Sequence, residues 1–124
     1  DWMLGKKKIK QVVSISSGAS EHTYKGWSGY SLSKPALRTM MDVYSKDANN
    51  GHFMSVAPGL INTSMQDYLC NRVDRIKFPI IDKFIDARNN NLIESSEVIA
   101  IKLIKLIPQL KEFENGSFID MRKL

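Results

Sequence analysis

The sequence predicts an α/β fold built on a parallel sheet, and three features carry that prediction. Two short runs rich in β-branched and apolar residues, 9–15 and 52–57, flank an amphipathic stretch of helical period over 31–48. A third short apolar run, 117–121, follows a second helical stretch that ends before Pro108. A helix of ordinary length between two strands is the pattern of a parallel crossover. Parallel sheets need helices on both faces. Three strands with two crossover helices make only a thin sheet, so the chain reads as part of a larger doubly wound sheet whose remainder is missing from it or supplied by another chain.

Each element has its own local reason. Residues 9–15 (IKQVVSI) are expected to form a buried strand ending in Ser16-Ser17-Gly18-Ala19-Ser20. The loop continues to Gly29 without apolar periodicity, and long loops after strands often carry function. Leu32, Ala36, Leu37, Met40, Met41, Tyr44 and Ala48 then recur at three- and four-residue spacing, the signature of an amphipathic helix. Pro35 has no N–H to donate, so it belongs near the first turn and puts the helix start close to Tyr30. Asn49-Asn50-Gly51 supplies a left-handed stop. His52 to Ala57 form the second strand, broken by Pro58-Gly59. Residues 62–90 mix short helical patterns with charge and are expected to be a mobile, mostly helical insertion. Ser95 or Ser96 caps a further helix with Ile99, Ala100, Leu103, Ile104 and Ile107 on its apolar face. A turn at Asn115-Gly116 leads into the last strand, Ser117 to Met121.

Composition narrows the class. The 124 residues are 43% hydrophobic and 25% charged, which fits one globular unit with a single core. Lys and Arg number 18 against 13 Asp and Glu, and the net charge of +5 permits nucleic-acid binding without requiring it. Lys6, Lys7, Lys8 and Lys10 run straight into a strand with no interleaved aromatics, so they read as a solvated loop rather than a phosphate-contact patch. Nucleic acid is not an expected partner. No apolar stretch approaches the roughly 18 residues of a membrane helix. The opening Asp1-Trp2-Met3 suggests a fragment or an internal boundary. Cys70 is alone, which rules out an internal disulfide and points to a reducing, cytoplasmic setting. It reads as a packing or surface thiol. His22 and His52 lie far apart with no ligand cluster at metal spacing, so no metal is expected.

The chemistry is concentrated in three short segments. Tyr30 and Lys34 are four residues apart and share one helix face. A phenol ionises near pH 10 in water, and an ammonium held close favours the phenolate, which makes the pair an acid/base device. Alone, the pair reads more readily as a partly buried Tyr beside a solvated Lys. Ser17 lies at the carboxyl end of the first strand, where open α/β sheets place ligands, and its hydroxyl could hydrogen-bond a substrate oxygen. The second strand ends in Pro58-Gly59-Leu60-Ile61-Asn62-Thr63, where backbone groups and the Thr63 hydroxyl could fix a flat amide-bearing ring. All three fall on one rim.

These segments, VVSISSGA at 12–19, YSLSKPAL at 30–37 and PGLINT at 58–63, resemble the short-chain dehydrogenases/reductases, and the closing Gly116 to Asp120 resembles that family's last strand. Tyr24-Lys25-Gly26-Trp27 and Asn62-Thr63-Ser64-Met65-Gln66 are most similar to the branch containing benzil reductase and sepiapterin reductase. The resemblance implies the carboxyl-terminal half of a Rossmann-type doubly wound sheet, in three α/β/α layers, spanning residues 1–124. It implies an NAD(P)(H)-dependent carbonyl reductase or alcohol dehydrogenase, with NADP(H) favoured over NAD(H). Ser17 would hold and polarise the carbonyl oxygen, Tyr30 would protonate it as hydride arrives, and Lys34 would tune the phenol and hydrogen-bond the cofactor ribose. Pro58 and Gly59 would shape the turn at which the Ile61 backbone and the Thr63 hydroxyl contact the carboxamide. Trp27, Met65 and Leu69 flank the rim as an apolar substrate wall or as plain loop-anchoring hydrophobes.

The family's glycine-rich phosphate turn, its coenzyme-selecting residue and its helix Asn are absent from these residues, so the isolated chain is not expected to hold a dinucleotide well. Leu32, Met40, Met41 and Tyr44 either face a second subunit, as the family's homodimers and homotetramers imply, or belong to the core. A small carbonyl or alcohol is the expected substrate. The alternative is a non-catalytic fragment acting as a dimerisation or scaffold module.

Overall fold

The computed structural model describes residues 9–48 and 50–124, so the Lys6 to Lys8 cluster and Asn49 of the helix stop lie outside the described residues. Strands β1 (Gln11–Ile15), β2 (His52–Ala57) and β5 (Phe118–Asp120) form a parallel sheet in the order β1-β2-β5. The register pairs Val13 with Met54 and Ser55 with Phe118. Helix α1 (Ser28–Asp47) connects β1 to β2. Between β2 and β5 come β3 (Ile61–Asn62), α2 (Ser64–Arg72), α3 (Ile80–Asn89), β4 (Glu94–Ser95) and α4 (Ser96–Leu106).

The central strand explains the layering. Side chains alternate across a sheet, and Phe53 stacks on Tyr44 of α1 with ring centroids 5.9 Å apart. Met54 and Val56 point the other way, into a cluster with Leu110, Leu103, Leu106 and Ile107. Helices therefore cover both faces, and β2 from Phe53 to Ala57 is wholly buried. Met41 of α1 is buried and Tyr44 packs inward, so both belong to the core, whereas Leu32 and Met40 are exposed.

Several expectations need correction. The first strand is half-exposed rather than buried, and Ile15 at its end is open to solvent. Among the described residues β1 pairs on one side only, which leaves it an edge strand. Helix α1 starts at Ser28, so Pro35 is its eighth residue and lies past the first turn. The residue before the helix is Trp27, which makes no side-chain cap, and the usual N-terminal signal is missing. On α4 the inward residues are Ile99, Leu103 and Leu106, while Ala100 and Ile104 are exposed. Ser95 is the residue that caps it, accepting from the Val98 N–H. The first and last strands are also shorter than expected, β1 beginning at Gln11 and β5 running from Phe118 to Asp120, while β2 has the expected bounds.

The parallel β3–β4 ladder pairs Ile61 with Glu94 and Asn62 with Ser95. It ties the chain after Pro58-Gly59 to the start of α4, so helices α2 and α3 emerge from a closed base. Two residues per strand are too few to show a period of two, which is why sequence reading misses them.

Two side chains fasten the ends of the sheet. Asn115 accepts from the Phe53 N–H at 2.7 Å through Oδ1 and donates to the Gly51 and Ser45 carbonyls at 3.2 and 3.3 Å. The following Gly116 has φ +89, and a Cβ there would stand 2.4 Å from Ser45 Oγ. At the opposite end, the buried Asp120 carboxylate accepts from Arg122 Nε at 2.9 Å, Nη2 at 2.6 Å and the backbone N–H at 3.0 Å. Hydrogen bonding from the Arg122 side chain, opposed by burial, holds the Asp120 carboxyl below the usual carboxylate range.

Asn115→Ala is expected to cost about 2 kcal/mol in the full-length protein, because it leaves the buried Phe53 N–H without an acceptor. Urea unfolding checks this, and a loss below about 0.5 kcal/mol contradicts it. Asp120→Asn is expected to cost about 1 to 2 kcal/mol at pH 7. A depressed carboxyl contributes its stability above its unfolded value and loses it as pH falls through the folded value. The gap between wild type and variant should therefore close below about pH 4. Urea midpoints taken from pH 7 to pH 3 test it, and a gap independent of pH contradicts the account.

Candidate active site

The carboxyl ends of β1, β2 and β5 open onto a cavity of about 540 Å³. Ser17, Tyr30 and Lys34 line it together. So do Pro58, Gly59, Ile61 and Thr63 from the turn after β2. Trp27, Met65 and Leu69 complete the set singled out from the sequence, and none of it falls elsewhere.

Ser17 follows β1 in extended backbone and caps the short 3-10 turn Gly18–Ser20. Its hydroxyl accepts from the Ala19 N–H at 3.2 Å. A hydroxyl that accepts in this way keeps its own proton for a further acceptor. Ser16 differs from it. Its backbone N–H continues the ladder to the Val56 carbonyl at 2.7 Å, and its hydroxyl is buried with no partner among the described residues.

Tyr30 and Lys34 stand one turn apart on α1. Lys34 Nζ lies 5.6 Å from the centroid of the Tyr30 ring and donates to the Ile15 carbonyl at 3.0 Å. An ammonium has three donors, so two remain for a ligand. Trp27 meets the Tyr30 ring edge-on at 5.5 Å and 89°, and stacks on Phe84 of α3 at 5.5 Å and 29°. Tyr24 meets Trp27 from the other direction at 5.8 Å. Such contacts each contribute about 0.5 to 1.5 kcal/mol beyond burial, so this aromatic row restrains the Tyr30 ring.

The turn after β2 has a buried Pro58 and a Gly59 with φ +91. A Cβ at Gly59 would lie 3.1 Å from Arg122 Cδ, so this position suits glycine on two grounds. Thr63 caps α2, its Oγ1 accepting from the Gln66 N–H at 3.4 Å, and it too keeps its hydroxyl proton. Gln66 is buried with its Nε2 unpartnered among the described residues.

Among the lining residues that escaped the sequence reading as site residues are Phe84, Gln66, Lys83 and Arg122. Phe84 and Gln66 lie on the insertion helices, and Arg122 follows the last strand, so only the tertiary fold brings them to the rim. His22 also lines the cavity, while His52 begins β2 at the opposite end of the sheet and hydrogen-bonds the Phe113 carbonyl at 3.0 Å. Cys70 is half-buried on α2. Among the described residues no three His, Cys, Asp or Glu side chains converge as metal ligands, and no helix is long and apolar enough to cross a membrane.

The short chain dehydrogenase family model matches residues 1–73. Benzil reductase ((S)-benzoin forming) of Bacillus subtilis is 30% identical over 118 residues, covering 92% of this chain and 47% of that protein. Sepiapterin reductase of Bos taurus is 27% identical over 111 residues, covering 90% of this chain and 40% of that protein. A crystal structure of a short chain dehydrogenase/reductase from Saccharomyces cerevisiae superposes with a TM-score of 0.76 at 26% identity, covering 89% of this chain and 45% of that one. The chain thus spans about half the length of the relatives it matches. With the family's match running over more than half of its residues and the parallel α/β fold shared, the chain belongs to the short chain dehydrogenase family of oxidoreductases.

Proposed function

We propose that these residues are the carboxyl-terminal, catalytic half of an NAD(P)(H)-dependent carbonyl reductase or alcohol dehydrogenase, with Ser17, Tyr30 and Lys34 as its catalytic residues. The observation that carries this is their meeting in one cavity with the Pro58-to-Thr63 turn, although they come from three separate segments. The similarity to benzil and sepiapterin reductases supports reduction of a small carbonyl compound.

The chain's own groups supply binding and proton transfer. Ser17 donates its free hydroxyl proton in a hydrogen bond to the carbonyl oxygen and holds it in place. Tyr30, its ring braced by Trp27, gives its phenolic proton to that oxygen as negative charge develops there. Lys34 keeps a positive charge over the phenol ring, and its two remaining donors suit the hydroxyls of a ribose. Thr63 has a hydroxyl proton for a carboxamide, and the turn at Pro58-Gly59 brings backbone groups to the same wall. This donor set fits a nicotinamide riboside. When bound, the nicotinamide supplies the hydride. Trp27, Met65 and Leu69 offer an apolar wall for the rest of the substrate.

NADP(H) in preference to NAD(H), a homodimeric or homotetrameric assembly and a cytoplasmic location complete the proposal on family resemblance. A scaffold module has no use for unspent hydroxyl and ammonium donors gathered in one cavity, so the catalytic reading is preferred.

Tyr30→Phe in the full-length protein removes one hydroxyl and nothing else. Turnover of a diketone panel with NADPH should fall about 10²- to 10⁴-fold while the melting temperature holds. Turnover within twofold of wild type contradicts the assignment.

A further inference from the structure

We propose that Arg122 makes this cavity a site for an aromatic carbonyl substrate that carries a carboxylate, an inference that rests on the proposed reductase activity and names its substrate class. Arg122 reaches the cavity from the turn after β5, and its aliphatic stem lies against Gly59. A Cβ at Gly18 would stand 3.8 Å from its Nη2, so the guanidinium bridges the loops that follow β1 and β2.

Its orientation is fixed from behind. Asp120, with its side chain only 5% exposed, takes Nε and one Nη2 proton in a two-pronged pair, while the Arg122 side chain remains 58% exposed. A guanidinium has five N–H donors. Three therefore have no partner among the described residues, in a planar fork suited to a carboxylate. A guanidinium held only to fasten the last turn would need no such open side.

The charge around it points the same way. Lys34 and Lys83 also line the cavity, and no Asp or Glu does among the described residues. With Asp120 subtracted from these three cations, the cavity keeps an excess of positive charge. An anionic ligand relieves that excess. Trp27 and Phe84, stacked on each other, add an apolar wall to the cavity, so the ligand combines an apolar body such as an aromatic ring with a negative group.

Benzoate and its neutral counterpart benzamide probe the site without turnover. Calorimetric titration of the full-length protein should show benzoate binding at least about tenfold more tightly than benzamide. Arg122→Met should abolish that preference and leave NADPH affinity within twofold. Because the single change strands the buried Asp120 carboxylate, an Asp120→Asn/Arg122→Met double variant, which removes both charges, is titrated alongside and should also lose the preference. Equal binding of the two probes by wild type overturns the proposal, and so does a preference that survives in the variants. A loss that falls on NADPH instead also overturns it, by assigning the guanidinium to a cofactor phosphate. A Tyr30→Phe protein with undiminished turnover would strike the reductase reading and leave these binding results intact.

Discussion

The parallel pairing of β1, β2 and β5 is the constraint on which the site depends. In a parallel sheet all strands end on the same side, so the residues that follow each strand become neighbours however far apart they are in sequence. Ser17 follows β1, Pro58-Gly59 follows β2, and Arg122 follows β5. Reversing any one strand would send its loop to the opposite edge and dissolve the cavity. Strand β2, buried from Phe53 to Ala57, holds this arrangement, since its two faces are gripped by different helices, Phe53 by α1 and Met54 with Val56 by the α4 side.

Tyr30 owes its position to a different set of forces. It sits in the first turn of a helix that starts without a side-chain cap, which is a weak beginning for a residue proposed as the catalytic acid. Aromatic packing compensates. Trp27 touches Tyr24, Tyr30 and Phe84 at once, so one indole connects the loop after β1, the helix start and the insertion helix α3. The β3–β4 ladder returns the insertion to the sheet and keeps Phe84 within reach. The proposed substrate wall and the proposed catalytic phenol are thereby parts of one packed unit, so in this reading the shape of the ligand is connected to the orientation of the acid.

Local signals made much of this legible in the sequence. The β-branched run before Ser16, the period of α1 and the Pro58-Gly59 break are short-range features, and they located the sheet, its crossover helix and the rim. The Tyr30 to Lys34 spacing alone puts two groups on one helix face. What stayed hidden depends on contacts between distant segments. Nothing near Arg122 says that it will fold over Gly59, and nothing near Phe84 says that it will stack on Trp27. Edge status is similarly invisible: residues 9–15 read as a buried strand, yet Ile15 is exposed because burial depends on which neighbours are present. Pro35 misled by a physical accident, since a proline in the second turn costs one donor, and here the chain absorbs that loss without ending the helix.

A crystal structure of the full-length protein with a nicotinamide cofactor and a ketone inhibitor measures the central claim most directly. The account predicts the ketone oxygen within hydrogen-bonding distance of both Ser17 Oγ and the Tyr30 hydroxyl, with Lys34 on the cofactor ribose. A ketone seated away from those two hydroxyls, or strands whose carboxyl ends fail to share one rim, would contradict it.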